Sequence, residues 1–235
     1  MRDEFDPKPL RFTEPVCLVG GAVIDGAALE LALGFAEKMV AADGGANEFL
    51  PGEAYASEAQ RLAAVIGDMD SAKNLDHWRA DDLVEVVHLP EQDSTDLEKV
   101  LRSVEAPLLL GLGFLGARFD HTLAATHALL RHPGSPVILI GEADLIFLAP
   151  KVWRARMKAG DRVSIYPLRP GRALVSQGLR WPLQGLDLAA GSQIGTSNEA
   201  IADEVSIEFD GRDAAIILPR TRLKAAIDSL VEVER

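Results

Sequence analysis

The nonapeptide MVAADGGAN, Met39 to Asn47, decides the fold. Its first four residues are apolar and include a β-branched valine, the texture of a short buried strand. An aspartate and two adjacent glycines follow at once. Glycines in this position let backbone N–H groups turn outward toward an anion, while Asp43 offers a carboxylate to a cation or a ribose. Taken alone, the segment is equally an ordinary turn between strand and helix. The same punctuation recurs, however. Asp68 follows AAVIG, Gln92 and Asp93 follow VVHLP, and Arg118 and Asp120 come soon after LLLGLG. Positions 43, 68, 93 and 118 stand 25 residues apart in each case, a regular strand-plus-helix step.

Working outward, strands are expected at Val16–Val19, Met39–Ala42, Ala63–Ile66, Val84–Leu89, Leu108–Gly111 and Val137–Ile140. Helical stretches lie between them at Ala27–Glu37, Ser94–Val104 and Thr122–Arg131. This alternation predicts an α/β domain with a mainly parallel sheet over residues 1–150. In such a sheet every strand-to-helix junction falls on the carboxyl edge, where open α/β sheets take their ligands. After Pro150 the texture changes. Short strands at Arg162–Tyr166, Ala173–Gln177, Val205–Phe209 and Ala214–Leu218 alternate with the turn signals Pro170-Gly171, Gly191-Ser192 and Asp210-Gly211. Residues 151–235 therefore read as a smaller, mostly antiparallel β domain, ending at 221–233 in a short helix or a tail.

Composition narrows the classes. The chain has 235 residues, 48% hydrophobic and 26% charged, with a formal net charge of −12. That balance argues against nonspecific binding to nucleic acid or anionic lipid. No apolar run reaches the ~18–20 residues that span a bilayer. The opening MRDEFDPKPLRF carries acids and two prolines where a secretory signal has an apolar segment. A single cysteine, Cys17, excludes an internal disulfide framework and reads as buried apolar filler. A cytoplasmic protein is expected. Its acidity sets a condition on a polyphosphate ligand. Two unit charges about 5 Å apart at an effective dielectric of about 20 repel by roughly 3 kcal/mol, so divalent cations must stand between aspartates and phosphates.

Each junction carries a chemical and a plain reading. Asp68 and Asp70, two apart after a strand, could share a Mg²⁺ or simply cap a turn. Asp93 reads as a helix N-cap, with Asp96 three positions on. Asp96 and Lys99 form either an exposed i, i+3 pair or a metal ligand beside a phosphate-binding cation. Arg118 offers a planar fork to a phosphate, and Asp120 is an N-cap candidate. His121 and His127 lack partners at metal-ligand spacing and read as structural. The plain readings have to explain why four junctions in succession carry acid, amide or basic groups.

Taken in order, ADGGAN (42–47), IGDMDS (66–71), QDSTDLEKVL (92–101) and RFDHTLA (118–124) resemble the motifs of the thiamine pyrophosphokinase family. GLRWPL (178–183) and GTSNEA (195–200) extend the resemblance into the second domain. It implies a nucleotide-binding α/β domain followed by an all-β sandwich, paired as a homodimer with active sites between subunits. The implied reaction moves the pyrophosphoryl group of ATP onto the hydroxyl of thiamine, giving thiamine diphosphate and AMP. By motif match, Asp43, Asp68, Asp70 and Asp96 would hold Mg²⁺. Lys99 and Arg118 would join Asp70 and Asp96 in catalysis. Gly44, Asn47, Gln92, Asp93, Thr95 and Asp120 would line the ATP side, and Ser197 and Asn198 would face thiamine. Two departures stand out. The late strand GRDAAIIL (211–218) lacks the aromatic residue common in the family, so that stacking on the substrate either comes from elsewhere, with Trp181 a candidate, or is absent, and LAATH (123–127) lacks its asparagine. Two other readings compete: a phosphatase of the haloacid dehalogenase type with Asp68 as nucleophile, and a noncatalytic nucleotide or metal sensor.

Overall fold

The computed structural model describes residues 8–116 and 118–231. They form two compact units, the first running to Ala128 with residues 134–136, the second comprising 129–133 and the chain from Val137 onward.

In the first unit the elements run β1 (Leu10–Arg11), β2 (Val16–Val19), α1 (Gly26–Leu33), β3 (Lys38–Ala42), β4 (Leu62–Gly67), α2 (Leu75–Arg79), β5 (Glu85–His88), α3 (Asp96–Ser103), β6 (Val104–Glu105), β7 (Leu109–Leu112) and α4 (Phe119–Arg131). The main sheet has the order β7-β2-β3-β4-β5, and each of these neighbours is parallel. β1 and β6 form a separate parallel pair. All four β2 residues are buried completely, as a central strand covered on both faces requires. The chain lays β3, β4 and β5 successively on one side of β2, then returns to its other side with β7. The topological switch point, where such sheets open a crevice at the carboxyl ends, therefore sits at β2 between β3 and β7.

Local chemistry sets the helix ends and corrects three expectations. α1 begins where Asp25 accepts from the Ala27 N–H at 3.1 Å and stops before Gly34, whose N–H bonds Glu30 at 3.1 Å. It ends four residues earlier than the expected Ala27–Glu37. α3 is capped by Thr95, not by Asp93: Thr95 and Glu98 satisfy each other's backbone N–H groups in a capping box. The Thr-x-x-Glu spacing is the better cap, and it frees Asp93 and Asp96 for other work. α4 starts at Phe119, so Asp120 lies inside its first turn.

The second unit contains β8 (Val137–Ile140), β9 (Asp144–Leu148), β10 (Val152–Arg156), β11 (Arg162–Pro167), β12 (Gly171–Gln177), β13 (Asp187–Leu188), β14 (Gly195–Glu199), β15 (Glu204–Phe209), β16 (Ala214–Pro219) and α5 (Leu223–Val231). Its strands order as β14-β11-β16-β9-β8 and as β10-β15-β12-β13, antiparallel throughout. β8 forms a hairpin with β9, Ile138 opposite Phe147. The turn between them is too short for a crossover helix. α5 packs on β10, where the buried Trp153 indole donates to Ser229 Oγ at 3.0 Å. The helical reading of 221–233 holds to Val231, and 232–233 lie outside the described residues. Among the described residues no helix is long and apolar enough to cross a membrane.

Candidate active site

An open cleft of about 590 Å³ occupies the switch point of the first unit. Its floor comes from the β2 and β7 junctions through Gly20, Gly21 and Gly113, and its acidic wall from the junctions after β3, β4 and β5. Backbone contact at the floor is close. A Cβ on Gly45 would stand 2.2 Å from the Val19 carbonyl oxygen, and one on Gly67 would stand 2.7 Å from the Asp43 Cβ. The double glycine after β3 thus lets the Asp43 turn lie against β2.

Asp43 is 1% exposed and adopts a left-handed backbone, φ 44°. Its carboxylate accepts from the Ser71 N–H at 3.2 Å and the Ala72 N–H at 2.9 Å. Asn47 adds a second staple to the same loop, donating to the Ser71 carbonyl at 3.0 Å and accepting from the Lys73 N–H at 2.7 Å. The β3 junction thereby holds the β4 junction in place. Asp43, Asp68 and Asp70 each bring one carboxylate oxygen within 4.8 Å of the others, close enough to share a cation. Burial, together with Asp96, Asp70 and Asp68, pushes the Asp43 carboxyl up to about 6, although the Ser71 N–H opposes this. Crowded acids of this kind suit a divalent cation that takes one or two protein carboxylates plus phosphate oxygens.

Lys99, 1% exposed on α3, is the counter-charge. Its ammonium lies 2.8 Å from Asp68 Oδ2 and 3.5 Å from Asp96 Oδ1. Gln92 donates to the same Asp68 oxygen at 2.8 Å. The Lys99 bond chiefly holds the Asp68 carboxyl down to about 2, with help from the Asp70 N–H and Gln92. Asp96 moves the other way, raised by burial and by Asp68 and Asp70 despite Lys99. Neighbouring carboxylates therefore differ in proton affinity, a mark of functional sites.

Of the residues singled out from the sequence, Gly44, Asn47, Asp68, Asp70, Gln92, Thr95, Asp96, Lys99 and Arg118 line this one cleft. Asp43 supports it from beneath. Arg118 forks onto Asp120, at 2.6 and 3.2 Å, with both side chains largely exposed. That bond holds the Asp120 carboxyl down to about 2. Asp93 is exposed, and its N–H donates to Glu91 at 2.9 Å. Gly20, Gly21, Ser71, Ser94, Phe114 and His121 also line the cleft. The two glycines after β2 were the available signal for the floor. His121, read as structural although it stands within RFDHTLA, also lines the cleft.

Ser197 and Asn198 lie in the second unit, on β14. Ser197 has a left-handed backbone, φ 58°, and its N–H donates to Ser164 Oγ at 2.9 Å. Asn198 is 3% exposed and grips the Trp181 peptide on both sides, accepting from its N–H at 3.1 Å and donating to its carbonyl at 2.7 Å. The Trp181 indole remains 55% exposed, with the Arg180 guanidinium 5.8 Å from its ring centre and anchored by Glu199 at 2.6 Å. Trp78 and Trp153, by contrast, are buried.

Comparison with known proteins gives both units a common relation. The family model described as "Thiamin pyrophosphokinase, catalytic domain" matches residues 29–139, and "Thiamin pyrophosphokinase, vitamin B1 binding domain" matches residues 153–212. Thiamin pyrophosphokinase 1 of Caenorhabditis elegans is 32% identical over 190 residues, covering 74% of this chain and 75% of its own. Thiamine pyrophosphokinase 1 of Arabidopsis thaliana is 28% identical over 201 residues, with the same coverage of 74% and 75%. In fold, yeast thiamin pyrophosphokinase superposes with a TM-score of 0.71 at 15% identity, over 99% of this chain and 96% of its own. The enzyme from Geobacillus thermodenitrificans gives 0.69 at 22% identity, over 87% and 96%. A transferase of mixed α/β architecture is the class these relations define. Within it, the chain belongs to the thiamin pyrophosphokinase family, whose activity forms thiamine diphosphate from thiamine. Neither the phosphatase nor the sensor reading of the sequence accounts for a match that runs through both units in order.

Proposed function

We propose that the cleft of the first unit binds ATP with Mg²⁺ and that the enzyme transfers the pyrophosphoryl group of ATP to the thiamine hydroxyl, releasing AMP. The observation that carries this reading is the meeting of Asp43, Asp68 and Asp70 within 4.8 Å, beside a buried lysine at the switch point. Their hard oxygen donors suit Mg²⁺, which Asp43, Asp68, Asp70 and Asp96 would hold and which would neutralise phosphate charge. Lys99 keeps Asp68 ionised and adds positive charge to the cleft, while the Arg118 fork is free to trade Asp120 for a phosphate. Gly44, Asn47, Gln92, Asp93, Thr95 and Asp120 complete the ATP side.

In the reaction the thiamine oxygen forms a bond to the β-phosphorus as the bond from that phosphorus to the AMP oxygen breaks, and the hydroxyl proton is lost. A loose transition state asks mainly for alignment and charge stabilisation. Asp70 and Asp96 are the groups available to accept the proton. Residues 153–212 are the thiamine side, with Ser197 on β14 and the exposed Trp181 as the stacking surface for its rings. A homodimer with active sites between subunits, in the cytoplasm, completes the reading. The test is AMP release by purified protein. It should require thiamine and Mg²⁺ together, and formation of AMP no faster than background with both present would end the proposal.

A further inference from the structure

We infer that Glu91 is a positioning residue of this reaction, acting through Gln92 on Asp68; the inference rests on the reading of the cleft just given. Glu91 stands outside the cleft lining, yet the loop between β5 and α3 is built around it. One oxygen accepts from the N–H groups of Asp93 at 2.9 Å and Ser94 at 3.1 Å. The other accepts from Ser94 Oγ at 2.6 Å and from the Arg102 guanidinium on α3. Its carboxylate therefore ties residues 93 and 94 and the body of α3 to one point. Gln92 is the residue enclosed by these bonds. Although its own side chain is exposed, it reaches Asp68 Oδ2 at 2.8 Å, the oxygen that Lys99 also holds.

The physical consequence is a relay of orientation. An exposed glutamine on an unrestrained loop samples many rotamers, and ordering it costs entropy each time it meets Asp68. Closing the loop onto a charged, doubly anchored carboxylate removes much of that cost beforehand, because charge-assisted bonds are about twice as strong as neutral ones. Burial works against the Glu91 charge, but Ser94 and Arg102 overcome it and hold the carboxyl down to about 2. Partners of this kind that orient metal-binding carboxylates change metal affinity or activity by about 10–100-fold when removed.

The experiment is a double-mutant cycle on the full chain with Glu91→Gln and Gln92→Ala. It reads the Mg²⁺ concentration for half-maximal rate, the KM for ATP, kcat and the melting temperature. Both single variants should raise the Mg²⁺ requirement roughly tenfold, and the double variant should be no worse than Gln92→Ala alone. A Glu91→Gln variant that melts lower but keeps the wild-type Mg²⁺ requirement and KM has lost only structure, and this overturns the inference. Multiplying effects in the double variant overturn it as well, since Glu91 then acts by another route. Inertness of both variants overturns it equally. Failure of the underlying reading shows separately: Asp70→Asn would then keep full activity whatever the cycle gives.

Discussion

Asp70 and Asp96 differ from their neighbours in what holds them. Asp43 is fastened to backbone, and Asp68 to Lys99 and Gln92, whereas Asp70 is exposed and accepts from its neighbour Ser71 Oγ at 2.7 Å, and Asp96 shares Lys99 at the longer distance of 3.5 Å. The less committed carboxylates have most to give a cation and its phosphates. Asp70→Asn and Asp96→Asn are each expected to lower kcat by about 100-fold or more with little change in melting temperature. Steady-state rates and thermal unfolding of the same preparations check this. Acidity adds a second expectation. Asp43, raised from 3.8 to about 6, binds its proton more tightly folded than unfolded. Metal-free protein should therefore lose stability as pH rises through that window. Asp68 and Glu91, lowered to about 2, contribute in the opposite sense, and their share is lost as pH falls below the ordinary carboxylate range. Urea midpoints with and without Mg²⁺ should show the cation stabilising most above about pH 6, where Asp43 is ionised. An equal effect across the window would separate Asp43 from the metal. At this scale the sequence was legible: the acids were visible because each follows a strand, and Glu91 was not because its partners come from the folded loop and from Arg102.

Among the elements, α3 decides the most, since it carries Asp96 and Lys99 into the cleft. Its Thr95 cap bonds the Glu98 N–H at 3.3 Å, and Thr95→Ala should cost about 1 kcal/mol of unfolding free energy. Because the first turn also sets Asp96, the Mg²⁺ requirement should rise alongside, which chemical denaturation and a metal titration measure together. The junction after β3 is less forgiving. Gly45→Ala forces a methyl onto the Val19 carbonyl, and such overpacking costs about 1–3 kcal/mol. The strands around the cleft could be read from apolar runs and their spacing. β1, β6, β9, β10, β13 and β14 were not expected from the sequence. β9 follows β8 across a short turn, and the polar GTSNE of β14 shows no alternation, its Gly195 and Asn198 being the buried positions. Asn198 itself was expected to face a ligand. Its amide is instead spent on the Trp181 peptide, so Asn198→Ala should raise the thiamine KM by releasing Trp181 and leave the ATP KM unchanged.

For the whole molecule, the two matched family segments are described as a catalytic domain and a vitamin B1 binding domain, and the function proposed above assigns the nucleotide to the first unit and the vitamin to the second. Trp181→Ala should therefore raise the KM for thiamine roughly tenfold, about the worth of a lost aromatic contact, with the ATP KM held. A rise in the ATP constant instead would undo the division. Sedimentation of the purified protein tests the expected homodimer. The net charge of −12 suits a cationic acceptor, and on the proposed reaction Mg²⁺ would carry the nucleotide in. The mixed α/β class and the order of its halves were legible from alternation of strand and helix, whereas the union of β8 with the second unit was not, since a hairpin and a crossover start from the same apolar run. One side chain offers a convenience of its own. The chain has three tryptophans, and two of them are sealed in the interior, so collisional quenchers such as iodide will address Trp181 almost alone. The iodide-quenchable part of the unlabelled emission is thus a single-position optical gauge, which on the proposed thiamine side would time the arrival and departure of the vitamin before any turnover begins.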